Sequence, residues 1–244
     1  MTRVVFFGGN GHCAFRLAAA RRVDPSLDIA DVPYPGFEGR PRVDSLEGFL
    51  DAVAHHARGD APIYASGIGA LVVLCLRARG EPTRAPVLFQ APVLWGLERR
   101  QMPRLMRMRV GRRAVHRVFR AKAFQSHFAR RHFERPLAPG DRAAFFDGYA
   151  ACAALPDLFA WFTPQLLRSL EAAFATRPEA LHRIGVWWGA HDRVVTLDEL
   201  RRTEAALGVR WPLRVFPHWG HYPMIDAPEE WAEALRSWTL NPLS

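Results

Sequence analysis

An α/β protein is predicted, with a mainly parallel central sheet flanked by helices and a helical segment inserted into it. Three features of the sequence point there. The first is Ala61-Pro-Ile-Tyr-Ala-Ser-Gly-Ile-Gly-Ala-Leu-Val-Val-Leu-Cys-Leu-Arg77, where an apolar run, a knot of tiny residues and a second apolar run read as buried strand, sharp turn and helix. The second is a set of further short apolar runs, near Arg3–Phe7, Ala85–Trp95, Arg183–Trp188 and Arg210–Phe216, which alternate with helical patterns. The third is the stretch 96–182, which loses all strand signal and becomes Arg-rich and aromatic, broken by Pro136, Pro139, Pro156 and Pro164. At 244 residues and 49% hydrophobic content the chain can bury one such core, with residues 1–95 and 183–244 forming it and 96–182 inserted.

Taken in order, Arg3 to His12 is a buried-type strand entering a glycine-rich loop, followed by a helix from about Ala14 to Arg22. The loop lacks the spacing of a dinucleotide or phosphate cradle. Asp28 to Arg40 reads as a short strand and a Pro/Gly turn, and Ser45 to Arg58 as a helix with Leu46, Phe49, Leu50 and Val53 on one face. In the turn after Ala61-Pro-Ile-Tyr, a left-handed apex needs small residues two positions to either side. With Gly67 at the apex those are Ala65 and Gly69; with Ser66 they would be Tyr64 and Ile68, so the register selects Gly67. Ala85 to Trp95 is another central strand. In the insertion, Phe145, Phe146, Tyr149, Phe159, Trp161 and Phe162 either line an apolar pocket or are plain core at helical spacing. Arg183 to Val195 is a strand ending in Gly-x-x-Asp, which offers Asp192, and Thr196 or Asp198 caps a helix to Leu207. Arg210 to Glu230 gives a strand, a turn holding Gly220 and His221, and a helix opened by Pro228.

In order and spacing these pieces resemble the α/β-hydrolase family over essentially the whole chain. Ala65-Ser66-Gly67-Ile68-Gly69 is similar to that family's Gly-x-Ser-x-Gly nucleophile elbow, with the departure that Gly67 stands where the attacking hydroxyl would be. Gly8-Gly9-Asn10 resembles the family's His-Gly-x loop, with Gly8 in place of the histidine. The resemblance implies an oxyanion hole formed by the backbone N–H groups of Asn10 and Ile68, which survives loss of the nucleophile. It implies Asp192 as the acid and His221, followed by Asp226-x-Pro-Glu, as the histidine of the site. It also implies a helical lid at 96–182 and a pocket touched by Gly9, His12, Phe145, Tyr149 and Trp161.

An imidazole bonded to a carboxylate has its tautomer fixed and is a better base. At a Gly67 apex that base would act on a water, or take a proton from the substrate in an elimination, C–C cleavage or cyclisation. Other readings stay open: a ligand-binding protein that has lost the chemistry, a serine hydrolase whose nucleophile has been replaced by Gly, or a mere surface pair of Asp192 and His221. Cys13 and Ser66 are the alternative nucleophiles, and His12 and His218 the alternative proton carriers. No cofactor or metal is expected, since Cys13, Cys75 and Cys152 form no ligand or disulfide pattern. The net charge of +9 is nearly all Arg, concentrated between Arg99 and Arg142, and the sole lysine is Lys122. That is no track for nucleic acid; it is either a solvated face or an attractor for an acidic ligand, carrier protein or membrane surface. The expected partner is a small molecule, apolar or acyl-type, and anionic if the lid's arginines line the pocket. Without a run of eighteen apolar residues or a leader pattern, a cytoplasmic protein with no membrane span is expected, its oligomeric state open.

Overall fold

The computed structural model describes residues 3–11, 14–81 and 85–241. The elements run β1 (Val4–Phe7), α1 (Phe15–Val23), β2 (Ile29–Asp31), α2 (Leu46–Ala57), β3 (Ile63–Ser66), α3 (Ile68–Ala78) and β4 (Val87–Gln90). A 3-10 turn, Trp95–Arg99, leads into α4 (Gln101–Met106), α5 (Arg109–Arg120), α6 (Lys122–His132), α7 (Pro139–Ala151), α8 (Leu155–Trp161) and α9 (Pro164–Thr176). A second 3-10 turn, Pro178–Leu181, precedes β5 (Ile184–Gly189), α10 (Leu197–Leu207), β6 (Leu213–Phe216), α11 (Pro223–Asp226) and α12 (Pro228–Leu240).

The six strands form one sheet in the order β2-β1-β3-β4-β5-β6, and every neighbouring pair is parallel. β1, β3 and β4 are buried along their whole length, which is why they read as unbroken apolar runs rather than as alternation. The direction in which strands are added across the sheet reverses between β1 and β3, and right-handed crossovers then put helices on both faces. α1 packs with α11 and α12, while α2, α3, α9 and α10 pack in succession as the other layer. Beneath α12 the sheet presents Tyr64, whose hydroxyl accepts a hydrogen bond from Trp231 Nε1 at 2.9 Å.

Two boundaries depart from the sequence reading. The strand expected over Ala85–Trp95 stops at Gln90, because Ala91 takes a left-handed φ of 43° and turns the chain out of the sheet. The stretch 96–182 is helical, but its last helix, α9, packs mainly against α3 and α10 in the layer. Parallel neighbours β4 and β5 need a crossover helix, and α9 fills that place. The remaining part, α4–α8, packs mainly on itself, with α4 on α5 and α8 and with α5 on α6 and α7. Among the described residues no helix is long and apolar enough to cross a membrane.

Candidate active site

Because all six strands run the same way, the loops after β1, β3, β4, β5 and β6 open on one edge of the sheet, the edge where a reversal of strand order leaves a crevice. The turn after β3 is the tight elbow read from the sequence. Gly67 has φ 55° and ψ −120°, a conformation that strains any residue with a side chain. Two positions on, a Cβ at Gly69 would lie 2.1 Å from the Phe7 carbonyl oxygen, so strand and helix approach this closely only over a glycine. At Gly67 itself a Cβ would meet nothing nearer than Gly9 Cα at 3.8 Å. The apex therefore faces the β1 loop with room for a side chain.

Gln90, the last residue of β4 and wholly buried, ties the elbow to the histidine loop. Its carbonyl accepts from Gly67 N at 3.1 Å, its Oε1 from Ser66 Oγ at 3.1 Å, and its Nε2 donates to the His221 carbonyl at 3.2 Å. Ser66 is thereby committed to Gln90. The loops after β5 and β6 are joined through backbone bonds, Ala190 N to Phe216 O at 2.9 Å and His191 N to Trp219 O at 3.0 Å. This pairing brings Asp192 and His221 together, with His221 Nδ1 2.8 Å from Asp192 Oδ2. The other oxygen of Asp192 accepts from Val194 N at 2.7 Å and Val195 N at 3.0 Å. Burial pushes the Asp192 carboxyl up, but the His221 charge and hydrogen bond and these two N–H groups outweigh it and hold it below the usual carboxylate range.

Around the pair lies a packed aromatic shell. Tyr222 stands edge-on to His221 with ring centroids 4.7 Å apart, and its hydroxyl is 3.0 Å from that of Tyr149. Phe145 packs on Tyr222 at 5.4 Å, and the Tyr149 ring rests on Gly11 of the β1 loop. The guanidinium of Arg16, buried in α1, sits 5.0–5.2 Å from the ring centres of Phe145, Tyr149 and Tyr222 and donates to the Asn10 carbonyl. His132, at the end of α6, stacks on Phe128 at 3.5 Å and lies 5.6 Å from the His221 ring.

Of the residues singled out in the sequence, Gly9, Asn10, Gly67, Ile68, Phe145, Tyr149, Asp192 and His221 are thus gathered at one edge. Trp161 has its ring contact elsewhere, on Phe49 of α2 at 6.0 Å. His12 and Cys13 lie outside the described residues, and His218 is exposed. Cys75 and Cys152 are buried, and burial pushes both thiols up to about 12, so neither supplies a thiolate. Among the described residues no three His, Cys, Asp or Glu side chains are grouped to hold a metal ion. Four residues of the shell escaped the sequence reading. Gln90 had a signal, a polar residue closing an apolar strand; Tyr222 had one in its place beside His221. Arg16 and His132 had none, since only the fold brings them here.

The alpha/beta hydrolase family profile matches residues 4–234. No curated protein matches the chain. Among solved structures it is similar to a haloalkane dehalogenase from Bradyrhizobium elkani, with a TM-score of 0.71 and 18% identity over 98% of this chain and 90% of that one. It is also similar to a protein described as an aryl esterase from Burkholderia cenocepacia, with a TM-score of 0.71 and 13% identity over 98% of this chain and 90% of that one. A third is a bacterial membrane phospholipase A, with a TM-score of 0.68 and 15% identity over 99% and 79%. At such identities the likeness speaks for the fold, and the profile match speaks for the family. With an all-parallel sheet, a strained elbow and an acid–histidine pair on its carboxyl edge, this chain belongs to the alpha/beta hydrolase family.

Proposed function

We propose that the chain is an enzyme acting on a small molecule through His221 as general base, oriented by Asp192, with no covalent intermediate at Gly67. The observation that carries this reading is the 2.8 Å bond from His221 Nδ1 to the buried Asp192 carboxylate. A carboxylate on Nδ1 fixes the proton there and leaves Nε2 as the basic nitrogen. From Nε2 the base takes a proton either from a water that attacks the substrate, or from the substrate in a non-hydrolytic step such as elimination, C–C cleavage or cyclisation. The backbone N–H groups of Asn10 and Ile68 serve as donors to a developing oxyanion; Ile68, as the first residue of α3, has no helical acceptor for its own N–H. The apolar surface of Phe145 and Tyr149, beside Gly9, favours an apolar or acyl-type substrate, and α4–α8 act as the lid over it. The buried Arg16, rather than an arginine of the lid, is the cation placed to meet an anionic group on that substrate.

The test uses the room at the apex. Gly67→Ser, despite a strain of about 1–3 kcal/mol, should hydrolyse p-nitrophenyl acetate with a burst and take up a fluorophosphonate stoichiometrically, and both gains should vanish in Gly67→Ser/His221→Ala. The parent protein should remain unlabelled, and its turnover of a substrate found by screening should fall by about two to four orders of magnitude in His221→Ala. Stoichiometric labelling of the parent, or full turnover in His221→Ala, would overturn the reading.

A further inference from the structure

We propose that the outer face of α4 and α5 is a docking surface for an anionic lipid bilayer, with the corner between the two helices entering the headgroup layer. The proposal does not depend on what the His221 site does.

Residues 99–133 hold twelve basic side chains and no acidic one, against a net charge of +9 for the whole chain, so the remainder of the molecule is net acidic. Six of the twelve stand exposed along α4, the turn after it and α5. In α5, Val115 and Phe119 are buried towards the molecule, Phe119 stacking on Tyr149 with centroids 4.5 Å apart. Arg109, Arg113, Arg117 and Arg120, spaced by four, four and three, form one exposed row on the opposite side, and exposed Arg104 and Arg107 extend it onto α4 and the turn. None of these six makes an ion pair among the described residues. Arg112, one step off the row, is paired with Asp157, and Arg100 with Glu199. Like charges at helical spacing repel and weaken α5 itself, a cost that an anionic surface would remove.

Charge alone would suit any polyanion; the apolar residues single out lipid. Eight large apolar side chains stand exposed on the described surface, and three of them fall here: Leu105 at 44%, Met108 at 57% and Val110 at 74%. The chain bends between the helices where Met108 N donates to the Leu105 carbonyl at 3.0 Å. Met108 and Val110 therefore project at the corner, flanked by Arg107 and Arg109. Apolar tips set among guanidinium groups match a bilayer interface, with hydrocarbon below and phosphate around. A nucleic acid would pair the arginines and leave these tips in water.

Flotation with vesicles of phosphatidylcholine, and of phosphatidylcholine mixed equally with phosphatidylglycerol, tests this on the full chain. Binding is expected to the mixed vesicles alone and to weaken steeply with salt. Arg109→Glu/Arg113→Glu/Arg117→Glu should lower it by about fivefold or more for each arginine reversed. Met108→Ser/Val110→Ser should lower it by about tenfold, and a tryptophan from Val110→Trp should shift to the blue and be quenched by brominated acyl chains. All the positions are exposed, and thermal melting of each variant should match that of the parent. Equal binding to both vesicle types, or none to either, overturns the proposal. So does binding that survives charge reversal. If Met108→Ser/Val110→Ser binds at full strength and the Val110→Trp fluorescence is unquenched, the surface is a general polyanion face and the lipid assignment is wrong.

Discussion

His132 bonds the Phe128 carbonyl oxygen through Nδ1 at 2.8 Å, and a carbonyl can only accept, so in the neutral ring the proton sits on Nδ1. Burial pushes this imidazole down to about 2, with the neighbouring His221 adding to the effect. The sign of the consequence follows from comparing the two states. In the unfolded chain a histidine takes up a proton below about pH 6.5, while His132 in the folded protein stays neutral. Stability is therefore complete above that pH and is lost as pH falls below it. His132→Phe keeps the stacked ring without the titration. Relative to the parent it should gain about 1–2 kcal/mol on going from pH 8 to pH 5, read from urea midpoints at the two values. An equal difference at both would refute the buried, neutral imidazole. The same residue marks a limit of sequence reading: nothing near position 132 points to His221, because the two meet only through the packing of α6. Asp192 and His221 were legible, since each lies in a short Gly-containing turn after an apolar strand, where the polar residue stands out.

At the scale of elements, α3 is buried on every side from Ile68 to Arg77, so it cannot be held by an amphipathic face alone. Its carboxyl end is fixed by Arg77, which donates to the carbonyls of Ala180 at 2.9 Å, His182 at 2.8 Å and Ala85 at 3.3 Å. One buried cation thus fastens the elbow helix to the entries of both β4 and β5. Arg77→Met, close in length but without donors, leaves these carbonyls unmet and should cost about 2–4 kcal/mol in urea unfolding; a loss within error would mean that the carbonyls find other partners. The elbow that α3 begins was readable because close approach demands tiny residues, and Ala65, Gly67 and Gly69 supply them. The place of α9 was not. An amphipathic helix looks the same in sequence whether its apolar face lies on the sheet layer or on a neighbouring helix of α4–α8, and only the pairing of β4 with β5 requires α9 where it is.

For the molecule as a whole, the join between the inserted helices and the sheet domain gathers on Glu134, just after α6. His191 Nδ1 and Arg193 Nη2 each lie 3.4 Å from its Oε2, contacts exposed enough to be weak. Asp226 of α11 is the more consequential neighbour. Burial pushes its carboxyl up to about 6, and the Glu134 charge adds to this against the N–H groups of Glu134 and Arg135, which pull it down. From the ordinary carboxylate range up to about pH 6 the folded protein keeps a proton that the unfolded chain gives up. Stability contributed here accordingly falls as pH rises through that window and stays lost above it. Asp226→Asn, which cannot ionise, should melt higher than the parent at pH 8 and gain less or nothing at pH 4; a uniform change would exclude ionisation as the cause. The pairing of β4 with β5 bears on how such a molecule is made and remade. Val87 and Ile184 are partners in the sheet although roughly a hundred residues of chain separate them, a span whose closure costs only about 1 kcal/mol more than one a quarter as long. This seam of the sheet must wait for the longest loop in folding, yet its equilibrium scarcely registers that loop's length. Variation can therefore lengthen, shorten or exchange α4–α8 while the strands on either side keep their register.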